Sequence, residues 1–260
     1  MLGVKAVNEK NQQLDFAGNK NYALISVTGI LPPKANVNAS NLATMDGSVV
    51  NGSRLGNRNV VLTILPQGKI EANRVALYTY FKAKKQVRLY FTTGSRSVYI
   101  DGWVESVSGD LFSIKEKIQV SVICPDPWFK AVNAVTANFD AVTHEAGINN
   151  ASDDETGFTA EFTASGAVSD IVLENETTGK TFTLNYDFGS GEKVILNTRR
   201  GEKSVKLVSG GTETNLLNHV DVSSEWFPLA MGANVLSFSC TSGSANLSAK
   251  LNLQPIYEGV

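Results

Sequence analysis

Chemistry in this 260-residue chain would have to draw on two histidines, two cysteines and a few acidic or glycine-rich turns. His144 and His219 stand far apart with no further Cys or His beside either, whereas a zinc site needs more ligands at closer spacing. No serine sits in a nucleophile elbow, and a serine triad would have to borrow one of those two histidines. Asp153-Asp154-Glu155 lacks the alternating ligand positions of a calcium loop and reads as a solvated turn. Gly189-Ser-Gly191-Glu-Lys193 has the glycine spacing of a phosphate cradle, yet it joins two strands rather than opening a helix, so it too reads as a turn. Carboxylate pairs for glycoside hydrolysis would need two acids set across a cleft, and nothing singles out a pair. The expectation is therefore no catalytic residue, no metal ligand and no cofactor. The chain has the look of a protein that assembles.

Composition agrees with a folded, two-domain chain. Hydrophobic residues make up 42% and charged residues 18%, the proportions of a globular protein. No apolar run approaches the length of a membrane span, and MLGVKAVNEKNQQLDF lacks the apolar core of a signal peptide. The expectation is synthesis in a cytoplasm, where Cys124 and Cys240 stay unbridged. Five Asn-x-Ser/Thr triplets, from Asn38 to Asn246, read as by-products of an Asn/Ser/Thr-rich β sequence. Net charge is -2, but residues 1–130 carry 16 Lys/Arg against 9 Asp/Glu and residues 131–260 carry 7 against 16. That asymmetry points to two domains, 1–130 and 131–260, with different surroundings. The basic charges are scattered rather than clustered beside aromatics, which argues against nucleic-acid recognition.

The boundary falls in Asp101 to Lys130. From Phe112 to Cys124 apolar residues alternate with polar ones, breached only at Glu116, which predicts a long strand with one buried face. Pro125 and Pro127 end it, and Trp128-Phe129 should pack back on the domain edge. Upstream, Tyr22–Ile30, Val60–Leu65, Gln86–Thr92 and Ser97–Val107 read as strands, with Gly102 allowing a bend or bulge beside Trp103. Ile70–Lys85 has the one helical pattern, with Lys82, Lys84 and Lys85 placed to complement its dipole. Lys34 to Asn59 is long, polar and aperiodic: either a mobile loop or an arm that orders against a neighbouring subunit.

The second half is a row of short strands: Phe158–Ala164, Val168–Glu174, Thr181–Tyr186, Lys193–Asn197, Ser204–Val208, Val235–Cys240 and Asn246–Ile256. Turn signals separate them, including Asn175-Glu-Thr-Thr-Gly179 with a glycine suited to the left-handed conformation. One buried face per strand and no helix predict a two-sheet sandwich of jelly-roll type.

The ordered set of Gly56-Asn-Arg58 leading a strand, the helix, the LYF strand, Gly102-Trp103-Val104 and Cys124-Pro-Asp-Pro-Trp-Phe129 resembles the distal tail proteins of long-tailed phages. Asn175–Gly179, Lys193–Thr198, Ser224-Glu-Trp226-Phe-Pro-Leu229, Gly232-Ala-Asn234 and Tyr257–Val260 resemble that family's second domain, in the same order. The resemblance implies a mainly β chain: a tail-tube-like β-sandwich with one helix and a long arm (about 31–59), then a galectin-like sandwich. It implies a hexameric ring hub in the virion, at the distal end of the tail. Its partners would be further copies, the tail tube protein and the tail-tip or receptor-binding proteins, with DNA passing through unread. Lys34, Arg54, Leu55 and Arg58 are then the expected assembly residues of the arm. The alternative is a carbohydrate-binding second domain gripping wall glycans, with Trp226 as its sugar contact; Ser224-Glu-Trp-Phe-Pro reads more as core. Fold alone does not make a sugar site.

Overall fold

A computed structural model describes residues 2–44, 46–110 and 116–260. The chain forms two compact units, one of residues 1–132 with 257–260 and one of residues 133–256. The first unit contains β1 (Gly3–Asn8), β2 (Gln13–Asp15), β3 (Tyr22–Thr28), β4 (Ala35–Asn41), β5 (Ser48–Leu55), β6 (Arg58–Pro66), α1 (Ile70–Tyr80), β7 (Gln86–Thr92), β8 (Ser97–Gly109), β9 (Ile118–Cys124) and β10 (Phe129–Ala131). Its main sheet runs β2-β1-β7-β8-β9-β6-β3, and β10 pairs with the start of β8. The pairings are antiparallel.

The period-two pattern decides which face is buried. In β6 Val60, Leu62 and Ile64 are buried, and beside it in β9 so are Ile118, Val120, Val122 and Cys124. Each such aliphatic contributes roughly 1.5–3 kcal/mol when removed from water. Leu77 and Phe81 join the same core from the helix and its C-cap. Gly102 lies in β8 where a Cβ would fall 2.5 Å from Val122 Cγ1 and 2.8 Å from Cys124 Sγ, so only glycine admits the neighbouring strand. A register shift follows between Val104 and Ser106, the bulge expected beside Trp103.

Several expectations need correction. The helix stops at Tyr80, and the Phe81 N–H bonds back to Leu77 O. Lys82, Lys84 and Lys85 therefore lie in the turn beyond it, Lys84 at a positive φ of 68° and Lys85 paired with Glu9 at 2.9 Å. The strand expected from Phe112 begins at Ile118; Phe112 and Ile114 lie outside the described residues. Lys34–Asn59 is not an aperiodic loop. It holds the hairpin β4–β5, and it ends with the first residues of β6.

The second unit contains β11 (Val135–Asn138), β12 (Glu145–Asn150), β13 (Phe158–Ala164), β14 (Val168–Asn175), β15 (Lys180–Phe188), β16 (Lys193–Asn197), β17 (Ser204–Ser209), β18 (Thr212–Asn215), β19 (Gly232–Ser239) and β20 (Leu247–Leu253). A six-stranded sheet, β11-β20-β13-β16-β17-β18, and a four-stranded sheet, β12-β19-β14-β15, share one core. Phe158, Phe162 and Leu251 enter it from the first sheet, and Leu173, Phe182 and Phe238 from the second. This is a two-sheet sandwich. Gly179 has φ 69° and its N–H reaches Asn175 O at 2.7 Å, the turn its sequence requires. β11, β12 and β18 were not legible as strands. β12 buries Ala146 and Ile148 but puts Asn150 at the next inward position, which hides its alternation, and β18 is an exposed edge.

Phe158 is fully buried and its ring lies 5.7 Å from that of Phe227. Phe158→Ala should cost about 3–5 kcal/mol by urea denaturation, the usual loss for truncating a core aromatic; a loss under about 1 kcal/mol would mean that this core is not packed as described.

Candidate assembly site

Among the described residues the hairpin β4–β5 pairs only with itself and joins none of the larger sheets. Its residues are exposed along both strands, save Leu55, which is half-buried. Cross-strand partners share a face, so Ala35 with Leu55, Val37 with Ser53, and Ala39 with Val50 make one side small and largely apolar, with the polar pair Asn41 and Ser48 at its tip. The other side presents Asn36 with Arg54, Asn38 with Gly52, and Ser40 with Val49. A register shift between Asn38 and Ala39 leaves Asn51 as the extra residue, and its Nδ2 donates to Ser40 Oγ at 2.6 Å. Val37 and Val50 remain 57% and 60% exposed, and Leu31, before the hairpin, 74%. A free two-stranded hairpin is marginal in water, and an exposed apolar side with open edges is what a partner covers.

The four residues expected in the arm separate into two groups. Lys34 lies exposed just before β4, Arg54 is exposed on the polar side, and Leu55 sits at the half-buried foot opposite Ala35. Arg58 differs from these three: it belongs to β6, is 4% exposed, and faces inward. Its Nε donates to Pro127 O (2.7 Å), its Nη1 to Gly29 O and Leu31 O (both 2.7 Å), and its Nη2 to Glu258 O (2.6 Å). The guanidinium also lies 4.5 Å above the Phe129 ring. Burial lowers its pKa, and nearby Cys124 and Glu258 partly offset that. Burial pushes the Cys124 thiol up to about 12, outweighing the nearby Arg58 charge, which lowers it. Arg58 therefore fixes the foot of the arm and presents nothing to a neighbour.

In the second unit Trp226 is half-buried against the core, its ring 5.0 Å from Phe182 and edge-on, with Lys203 Nζ 5.9 Å away over the ring. No Phe, Tyr or Trp side chain among the described residues of this unit is exposed. His144 stacks on Phe238 at 4.7 Å, and His219 meets Tyr186 edge-on. Asp154 accepts the Glu155 N–H at 2.8 Å, a local turn contact. Among the described residues no group of three His, Cys, Asp or Glu is placed to hold a metal ion, and no helix is long and apolar enough to cross a membrane.

Comparison with known proteins adds to this geometry. A family model described as "Siphovirus-type tail component, C-terminal domain" matches residues 151–253. The second unit is thus similar to a siphovirus-type tail component domain over most of its length. Over 97% of this chain and 98% of the other, the fold matches the Dit protein of phage SPP1, described as a paradigm of the hub adsorption apparatus in phages infecting Gram-positive hosts, with TM-score 0.73 and 15% identity. A chain of the phage P2 baseplate in its activated conformation, solved with calcium and with strontium, matches over the full length of both chains with TM-score 0.55 and 10% identity. No curated protein sequence matches the chain. The domain match and the whole-chain likeness together support the distal tail protein family.

Because their side chains are exposed, Val37→Asp and Val50→Asp should leave the subunit's own stability within about 0.5 kcal/mol, checked by thermal unfolding of dilute protein. A second expectation concerns pH. The unfolded Cys124 thiol ionises near its ordinary value of about 8.5, whereas the folded one holds its proton to about 12. The unfolded chain loses its proton first, so this contribution is intact below about pH 8.5 and is lost as pH rises toward 12. Denaturation midpoints measured from pH 8 upward should fall, and Cys124→Ala should flatten part of that slope.

Proposed function

We propose that this chain is a structural, non-enzymatic hub of a phage tail. Copies assemble into a hexameric ring at the distal end of the virion's tail, joining the tail tube to the tip or receptor-binding proteins and leaving a bore for DNA. The observation that carries this is the hairpin: a ribbon with one largely apolar side, rising from a buried and hydrogen-bonded foot and left exposed by the described residues of its own subunit. A surface that grips a different patch on the next copy makes a head-to-tail contact, and such contacts close into rings when their rotation allows. The siphovirus tail match of the second unit and the likeness to a hub protein support the same reading.

Passage of DNA asks that the wall not hold phosphate. Part of the first unit's positive charge is already engaged: Arg88 grips Asp101 through two bonds of 2.6 and 2.9 Å, Lys85 pairs with Glu9, Lys130 with Asp126, and Arg58 is internal. A carbohydrate-binding role for the second unit would need an aromatic platform beside polar groups, and Trp226 is packed against Phe182 instead.

The test is the mass of the purified protein across a concentration series, by native mass spectrometry and light scattering. The full chain should form a ring-sized species, alone or with tail-tube protein added. Deletion of residues 35–55, or Val37→Asp with Val50→Asp, should leave monomers. A full chain that stays monomeric at every concentration and with the tube protein present would overturn the proposal, as would rings that persist without the hairpin.

A further inference from the structure

The foot of the arm is built from three stretches distant in sequence. Residues 29–32 lead into the hairpin, Arg58 follows it, and Glu258-Gly259-Val260 arrive only after the whole second unit has been made. The contacts among them are specific. Arg58 bonds Gly29 O and Leu31 O on the incoming side and Glu258 O on the late segment. The Val260 N–H reaches Ile30 O at 3.1 Å. Gly259 is buried where a Cβ would sit 3.2 Å from Pro32 Cδ and 3.3 Å from Ile30 O, so the segment lies tight against the turn into the arm. Arg96 holds it from another side, donating to Gly259 O at 2.8 Å and lying 4.3 Å over the Tyr257 ring. Gly29 itself has φ 81°, and a Cβ there would strike Asn59 O, so the chain can turn into the arm at this point only as glycine.

We propose that residues 258–260 are a lock on the assembly arm, with Arg58 as the positioning residue through which the lock acts. This rests on the hairpin being the assembly element. The physical reason is the buried guanidinium. A charge removed from water is tolerated only while its donors are satisfied, and one of its four carbonyls belongs to the late segment. Without that carbonyl the remaining fork is under-satisfied, and the same loss frees Ile30 O. The arm's foot then opens locally while the sheet behind it, held by its own aliphatic core, stays closed. The consequence is an order of events. A subunit whose second unit is unfinished has an arm but no fixed foot for it, so synthesis of residues 258–260 precedes productive assembly.

The experiment compares the full chain with a deletion of residues 258–260, with Arg58→Met and with Arg58→Lys, by hydrogen exchange on dilute monomer and by assembly in a concentration series. Exchange in residues 29–36 and 54–58 should rise by about tenfold or more in the deletion and in Arg58→Met, with β7 and β8 unchanged. Arg58→Lys keeps the charge but loses the planar fork, so it should fall between them and the full chain. The concentration at which rings form should rise in the same order. Exchange at the foot that is unchanged in the deletion would overturn the proposal, whatever the ring measurement gives. A rise confined to the foot would sustain it even if no variant, the full chain included, formed rings, in which case the hub reading alone would fail. If Arg58→Met does not fold, the deletion and Arg58→Lys carry the same two outcomes.

Discussion

The first unit depends on one buried charge. Arg58 is an arginine at a core position, with its donors met by four backbone carbonyls from three separate stretches of the sequence. Backbone carbonyls cannot shift their bonds as a carboxylate side chain can, so each of these stretches is held in one place by the same guanidinium. The face of Phe129 completes the enclosure from one side. Replacing such a group leaves its partners buried and unpaired, which costs more than the bonds themselves contribute. The Pro125–Pro127 turn, the turn into the arm and the late segment are therefore mutually dependent, although none of them lies next to another in sequence.

The second unit is stabilised by a different principle. Its two sheets bury a continuous apolar core, and its inward polar residues serve loops rather than ligands. Asn150 Nδ2 reaches Leu229 O, and Asn234 bonds both Ala230 and Gly232. These amides shape the long connection from β18 to β19 and bring Phe227 and Leu229 down into the core. Trp226 sits in that same connection, held half-buried against Phe182 by its neighbours. The polar groups that might suggest a binding site are largely the supports of a loop.

How much of this could be read from sequence differs by element. Strands with a clean period of two, such as β6, β9, β13 and β20, were legible because burial on one face leaves a regular mark. Elements whose inward positions are polar or small were not: β12 ends inward on Asn150, and β4–β5 has no buried face at all. The hairpin therefore reads in the sequence as an aperiodic stretch, a mobile loop or an arm, and the structure makes it a two-stranded ribbon. Arg58 is the instructive case. Grouped with Gly56 and Asn57 it looked like the end of the arm, yet Arg58, Val60, Leu62 and Ile64 follow one another at every second position, which placed the arginine on the buried face. The signal was present; a charged residue at an inward position was set aside as surface. The contacts between Arg58, Pro127 and Glu258 left no mark, since they are made to backbone carbonyls that any residue could supply.

The arm also shows how an exposed β-ribbon can be kept from indiscriminate pairing. Two open edges and an apolar side invite aggregation, and Val37, Val49 and Val50 supply the β-branched residues that would favour it. Against this stand the Asn, Ser and Gly residues of the opposite side, the bulge beside Asn51 and the charge of Arg54. The bulge twists the ribbon away from the flat geometry that a second strand would match. Small apolar residues contribute little contact each, so an encounter with the wrong surface gains little, whereas a groove shaped to Ala35, Val37, Ala39 and Val50 together gains from all of them. Selectivity of that kind demands that the ribbon arrive at a set angle. An arm on a loose foot would sweep many orientations and lose the advantage to entropy; an arm on a foot fixed by a buried arginine would not. On the proposed assembly role, the charge at position 58 and the apolar side of the hairpin are one device, the first supplying direction and the second supplying adhesion.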